Sequence, residues 1–352
     1  IGDSIAETIL DALGSNGLDV IRAEMRDQAF KEAGLRRYSV LTLASVAEFA
    51  ASLSAGVAVY GDFDVTQAAG GPASVHLRAK ILEVRKIKKG KEFEISGPLE
   101  QLSGLQTALA WRMVSELDPA GSLTESDFNQ AHPPIRLDAL ENYVRGLLTN
   151  LADQKLKFFA AAARLEPAYA SAHFQLGLAL LHRRDYRSAG DALSKVPTES
   201  LRGREALFYQ GLARYHQGDF TNAARSWRML AERVPMAEVF NNLGVAELRA
   251  GEPGALGSLE KAVETDPSDP DFHFNLGYAC WRSSQFDQAA TAFRRSLERR
   301  PDDEMATLLL GRCLRRTGPR PGDLRTESLE RLKTIYNDAA FLALKAILKE
   351  KP

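Results

Sequence analysis

"NLGYACWRSSQFDQAATAFRRSLERRP", residues 275–301, decides the fold, because small residues stand where bulkier ones would bury more surface. Gly277, Ala289 and Ser296 fall where two helices of a hairpin would touch, and Pro301 falls where the second would end. The spacing predicts a first helix carrying Phe274, Leu276, Ala279, Cys280 and Trp281, a turn at "SSQFD", and a second helix carrying Ala289, Ala290, Phe293 and Leu297. Proline lacks an N–H and clashes with the preceding turn, so it stops that helix. A single hairpin cannot bury its own apolar face, which predicts copies at a fixed period. The glycines of "YVRGLL", "FQLGLA", "FYQGLA", "NNLGVA", "FNLGYA" and "LLLGRC" are Gly146, Gly177, Gly211, Gly244, Gly277 and Gly311, separated by 31, 34, 33, 33 and 34 residues. Pro167, Pro197, Pro235, Pro267 and Pro301 follow the first five by 21, 20, 24, 23 and 24 residues.

This order of small, aromatic and proline positions resembles the tetratricopeptide repeat (TPR) family over residues 137–318. In that pattern Gly277 is the small residue of a first helix, Ala289 and Phe293 belong to the second, and Pro301 closes the unit. Gly211, Phe220, Ala223, Trp227 and Pro235 match in the same order. Two units depart from it: the one at Gly146 is short before its proline, and the second helix after Gly177 stops early at "SKVP". The resemblance implies five to six helical hairpins stacked into a superhelix.

At 352 residues the chain exceeds one ordinary core, and repeats cover about half of it, so a further domain is expected. A net charge of −1 argues against general nucleic-acid binding. The charge is uneven: residues 1–130 hold 13 Lys and Arg against 18 Asp and Glu, and residues 131–352 hold 32 against 28. Cys280 and Cys313 occupy adjoining positions of neighbouring repeats, which predicts buried free thiols. The longest apolar run, "LTLASVAEFAASLSAGVAVY", contains Glu48 and a break near Gly56, so no membrane insertion is expected from it. The chain opens at Ile1 and not Met, and is read as a fragment or processed product.

Before the repeats, "DSIAETILDALG" puts Ile5, Ile9, Leu10 and Leu13 on one helical face, and "TLASVAEFAASLSA" reads as a second helix. A strand is expected at "LDVIR". "GVAVYGDFDV" alternates Val57, Val59, Phe63 and Val65 against Tyr60, Asp62 and Asp64. "VHLRAKILEV" and "EFEI" alternate likewise. Such alternation predicts an antiparallel sheet with one wet face, turning at "AAGGPA" and "KKGK". A helix after Pro98 lays Leu99, Leu102, Leu109, Met113 and Leu117 on it. This order of elements resembles the small α/β domain related to the TolB amino-terminal domain, without the hydrophobic strand that usually opens it. Either the sheet lacks a member or the chain begins inside its domain. The resemblance implies a bacterial protein, in which such domains precede TPR arrays and a signalling module can lie upstream.

No catalytic, cofactor-binding or metal residue is predicted: the six histidines lack metal-ligand spacing, and no phosphate-loop or Cys-x-x-Cys pattern occurs. Asp62 and Asp64 suit paired carboxylates or a solvated sheet face, and the second reading is preferred; "VRKIKKGK" is read as a hairpin turn in preference to a phosphate site. His173 and His273 are read as structural. The TPR resemblance places a ligand groove on the first helices, and Phe208, Tyr215, Arg249, Phe274, Tyr278, Trp281, Arg282, Arg312 and Arg316 are the candidate partner-binding residues. Asn241 falls on the same lining. Aromatics toward the middle and arginines toward the end suit an extended peptide with bulky apolar side chains and an acidic group. "SLERLKTIYNDAAFLALKAILKE" carries Leu329, Leu332, Ile335, Leu344 and Ile347 as one stripe, and reads as a helix capping the array.

The expected organisation is an α+β domain over 1–120, a linker over 121–136, an all-α TPR superhelix over 137–318 and a capping helix over 319–352. The function this suggests is a noncatalytic protein-interaction scaffold that takes a protein or peptide in the concave groove. A regulatory or sensory segment of a larger signalling protein is the first alternative. Nucleic-acid binding through the arginine-rich end is the second, disfavoured by interspersed Glu298, Asp302, Asp303 and Glu304.

Overall fold

Residues that alternate apolar and polar near the N-terminus form three antiparallel strands, β1 (Val57–Gln67), β2 (Ala73–Glu83) and β3 (Lys88–Pro98), in the order β1-β2-β3. The structure is a computed structural model, and it describes residues 1–35, 39–67, 71–119, 121–320, 322–337 and 340–341. It divides into two compact units, Ile1–Ala172 with Glu199–Leu201, and His173–Thr198 with Arg202–Pro352.

In the first unit, Val75, Leu77, Ala79, Ile81 and Phe93 point to one face of the sheet. They bury against Ile9 and Leu13 of α1 (Gly2–Ser15), and Leu102, Leu109 and Met113 of the later helix over Leu102–Leu117. The opposite face carries Arg78 between Asp62 and Asp64, and Lys80 beside Glu92. The two aspartates are thus ion-paired across strands on an exposed face. Leu82, which follows Arg78 and Lys80 in the alternation, points to that second face and packs against Val46 and Ala47 of the helix over Leu43–Ser52. With α2 (Ala23–Glu32), these helices are α1, α2, α3 (Leu43–Ser52) and α4 (Leu102–Leu117).

Four expectations change here. "LDVIR" forms no strand, although Leu18 and Val20 pack against the core. "KKGK" opens β3, and the turn falls at residues 84–87, where Ile87 takes a φ of 47°. The "AAGGPA" turn lies partly outside the described residues. Val57, Phe63 and Val65 were expected inward but are 42, 39 and 44% exposed, because β1 is an edge strand and α1 and α4 gather over β2 and β3. Finally, the segment expected as a linker contains α5 (Glu125–Ala131). Thr124 caps it through Asp127 N, and its Phe128 is fully buried between Trp111 and His132. The hairpin of α6 (Leu137–Leu148) and α7 (Ala152–Leu165) also belongs to this first unit.

The second unit is built from successive helical hairpins. α8 (Ala170–His182) is followed by α9 (Tyr186–Leu193), then α10 (Gly203–His216) with α11 (Phe220–Ala231) and α12 (Ala237–Ala250) with α13 (Ala255–Thr265). α14 (Pro270–Arg282) with α15 (Phe286–Arg299), and then α16 (Glu304–Leu314), end the series among the described residues. From α9 onward each helix packs against the next. The periodic glycines stand at the crossings: a Cβ on Gly211 would strike Trp227, one on Gly244 would lie 2.6 Å from Leu259 Cγ, and one on Gly277 would lie 3.0 Å from the Phe293 ring. Close backbone approach is therefore what those positions require. A second period has no counterpart in the glycine pattern: Arg184, Gly218, Gly251, Ser284 and Arg316, each just past a first helix, all have positive φ. The left-handed residue lets the chain reverse, as at many helix C-termini.

Cys280 and Cys313 are buried free thiols, and burial pushes both up to about 11. His273 is buried and donates to the Pro267 carbonyl from Nε2 at 3.0 Å, and burial lowers its pKa. His173 is likewise buried.

Candidate functional site

The first helices α10, α12, α14 and α16 present one wall, and the chain's own residues 317–320, 322–337 and 340–341 lie along it. Of the helix expected over 319–352, the part over residues 322–337 is corrected here. Residues 322–337 contain no helix, and a helical hydrogen bond reappears at Phe341 N–H to the Asn337 carbonyl. Residues 338–339 and 342–352, with Leu344 and Ile347, lie outside the described residues.

The reason is visible in the backbone accounting. Asn275 accepts from Arg331 N–H at 2.9 Å and donates back to the Arg331 carbonyl at 2.8 Å. Asn242 does the same for Lys333, at 2.9 and 2.8 Å. Asn241 donates to the Arg331 carbonyl at 2.9 Å and accepts from Asn275 at 2.7 Å, which ties the two helices into one ladder. Backbone groups that a helix would satisfy internally are thus satisfied by asparagine amides. Residues i and i+2 meet the wall, as in a strand, and Leu332 between them packs on Val245, Leu259 and Ala279.

Side chains extend the contact in both directions. Trp281 Nε1 donates to the Thr317 carbonyl at 2.8 Å, and Tyr278 Oη to the Thr326 carbonyl at 2.8 Å. Arg312 pairs with Asp323 at 2.9 Å, and Arg249 donates to Ser328 Oγ at 2.7 Å. Glu330, with 1% of its side chain exposed, has the Nη1 atoms of Arg249 and Arg282 each 3.8 Å from Oε1. The Arg331 guanidinium lies 3.5 Å from the Phe274 ring centroid and pairs with Asp271 and Asp303. Lys333 Nζ reaches Asp269 at 2.6 Å and Asp271 at 3.0 Å. Tyr336 meets Phe208, with ring centroids 5.7 Å apart, and Arg204 lies over Phe341. From α14 to α12 to α10, the segment crosses three units, which requires an extended chain.

Two charge zones result. The first holds Arg249 and Arg282; the second holds Asp269, Asp271 and Asp303 at the N-termini of α14 and α16. Asp269 and Asp303 also cap those helices, through Asp271 N and Ala306 N. Burial opposes ionisation of Asp271 and Asp303, but hydrogen bonds from Arg300 and Lys333, and from Arg331, hold both below the usual carboxylate range. Lys333 is raised, because its bonds to Asp269 and Asp271 outweigh burial. Burial, then the Glu330 charge, pushes Tyr278 and Tyr215 upward.

Of the residues expected in the groove, Phe208, Phe274, Tyr278, Trp281, Arg249, Arg282 and Arg312 all meet this segment. Tyr215 packs with Phe220 and Trp227, near Glu330. Arg316 does not join them: it is 70% exposed and pairs with Asp287 of α15. Trp281 is fully buried and under the Arg312 guanidinium. Sequence reading missed Asn242, Asn275 and the acidic zone. Their signal was present: Asn242 and Asn275 each stand two residues before a periodic glycine.

Two family models described as tetratricopeptide repeats match residues 205–235 and 281–319. The second unit therefore contains TPR hairpins. Solved structures similar to the chain include MamA from Desulfovibrio magneticus RS-1, at 20% identity, 48% of this chain, 99% of that chain and a TM-score of 0.43. A MamA RS-1 double mutant is 22% identical with the same coverage and TM-score. YrrB, titled a TPR protein with an unusual peptide-binding site, is 16% identical over 56% of this chain and 96% of its own, with a TM-score of 0.42. No curated protein matches the chain. Among the described residues, no helix is long and apolar enough to cross a membrane, and no group of three His, Cys, Asp or Glu could hold a metal ion.

Proposed function

We propose that this protein is a noncatalytic interaction scaffold whose first-helix wall binds an extended segment of polypeptide. The observation that carries this reading is the double pairing of Asn242 and Asn275 with the backbone of residues 333 and 331. Amide-to-backbone pairing selects an extended chain whatever its side chains, and the flanking charge zones supply selectivity. Arginines of the C-terminal repeats are engaged with carboxylates, as Arg300 with Asp271, Arg312 with Asp323 and Arg316 with Asp287, which supports a protein partner over nucleic acid. Residues 1–120 of the first unit we read as the TolB-type domain, on their order of helices, three strands and a helix.

The test uses a labelled peptide of residues 322–337, "GDLRTESLERLKTIYN", and the full chain carrying Arg331→Glu and Lys333→Glu to loosen its own segment. Binding is expected, with at least a tenfold loss when Asn242→Ala and Asn275→Ala are added. No binding, or equal binding by the wall variant, would defeat the reading.

A further inference from the structure

The wall and the segment on it match charge for charge, yet the match is imperfect at its centre. Glu330 is buried between Arg249 and Arg282, but among the described residues neither of its oxygens has a hydrogen-bond partner. A buried carboxylate 3.8 Å from two guanidinium nitrogens gains Coulomb energy without the hydrogen bonds that offset its desolvation. Ser328, two residues earlier, sits at a φ of 56°, a region that L side chains rarely adopt. By contrast Arg331 and Lys333 are fully engaged, through backbone and side chain alike. The occupant is therefore well held at the aspartate zone and poorly satisfied at Glu330, in the arginine zone.

We infer that residues 322–337 are an intramolecular pseudo-ligand that keeps the groove closed. The external partner is an extended protein segment with the same charge order: a carboxylate for Arg249 and Arg282, followed at the next and third positions by cations for Asp269, Asp271 and Asp303. This inference rests on the peptide-groove reading above. A partner that brings its carboxylate within hydrogen-bonding distance of Arg249 and Arg282 gains what Glu330 lacks, and displaces the segment. The closure is substantial, because a tethered segment competes at an effective concentration on the order of 1 mM. For a free-peptide Kd of about 10 μM, that raises the apparent Kd of an external peptide roughly a hundredfold.

The experiment compares the labelled 322–337 peptide on the wild-type full chain and on the full chain with Arg331→Glu and Lys333→Glu, with helical content checked by circular dichroism. At least tenfold tighter binding to the loosened chain is expected. Equal affinity for both chains overturns the pseudo-ligand and leaves the groove reading intact; no binding to either defeats both. A second measurement uses the wild type alone. Its Arg331 and Lys333 amides, which donate to Asn275 and Asn242, should be protected from hydrogen exchange and lose that protection when excess unlabelled peptide is added. Protection that survives saturating peptide overturns the inference.

Discussion

At the scale of single residues, Trp281 shows how one side chain belongs to core and wall together. Its position suggested an anchor that a partner would meet, but the indole is fully buried, donates to Thr317 and shares a cluster with Phe274, Phe293 and Cys313. Trp281→Ala should therefore cost about 3–5 kcal/mol of stability, as large core truncations do, measured by chemical denaturation. Unchanged stability with lost peptide binding would return the indole to the wall. Arg249 and Arg282 have the opposite character: part of each remains exposed, and each faces the carboxylate of Glu330. They were legible because they fall at equivalent positions of two repeats. Asn242 and Asn275 recur at equivalent positions too, but an asparagine in a helix reads as a neutral choice until a foreign backbone lies across it.

Among elements, the periodic glycines make opposite predictions at the last two positions of one series. Gly277 faces the Phe293 ring of α15, so Gly277→Leu should destabilise by about 1–3 kcal/mol or more through overpacking. Gly311 has the same place in α16, but among the described residues no second helix packs on it, and a Cβ there meets only Arg315 Nη2, at 3.7 Å. Gly311→Ala should stabilise by up to about 1 kcal/mol, because alanine is the better helix former. Thermal melting of the two variants checks both signs. A loss at Gly311 would mean that another element covers α16. The C-terminal misreading also lies at this scale. Leu329, Leu332 and Ile335 recur at helical spacing, yet Leu329 and Leu332 pack in the core while Ile335 is 74% exposed. Three apolar residues at that spacing fit a helix equally well on paper; their backbone partners decide otherwise.

For the second unit as a whole, the charge zone that holds the segment predicts how docking depends on pH. Asp271 faces Arg300, Arg331 and Lys333, with Asp269 sharing Lys333 and Asp303 sharing Arg331. Carboxyls held below their ordinary 3.8 stabilise the docked form above that value, and the contribution is lost as pH falls through the lower folded value. Lys333, raised above 10.5, contributes below that value and loses its share as pH climbs through the higher folded value. Docking should thus be flat from about pH 5 to about pH 9 and weaken below 3.8. A spin label on Thr334→Cys reads it, because Thr334 is exposed and the two native thiols are buried. Mobility unchanged at pH 3, with helical content retained, would show that the ion pairs do not hold the segment.

The amino-acid sequence by itself determined the repeat, its period, the buried glycines at the helix crossings and the aromatic and arginine residues of the wall. These follow from local spacing, since a hairpin that must bury one face repeats its small and large residues at the same offsets. It also determined the alternating strands of the first unit. Only the tertiary structure decided which apolar residues of β1 are left outside, that Phe128 folds into the first core, and that the last segment lies extended on the wall. Each of those depends on which distant side chains supply the missing partners. For residues 331 and 333 the partners are asparagines some 56 to 91 positions earlier in the chain, and no local pattern states that they will meet.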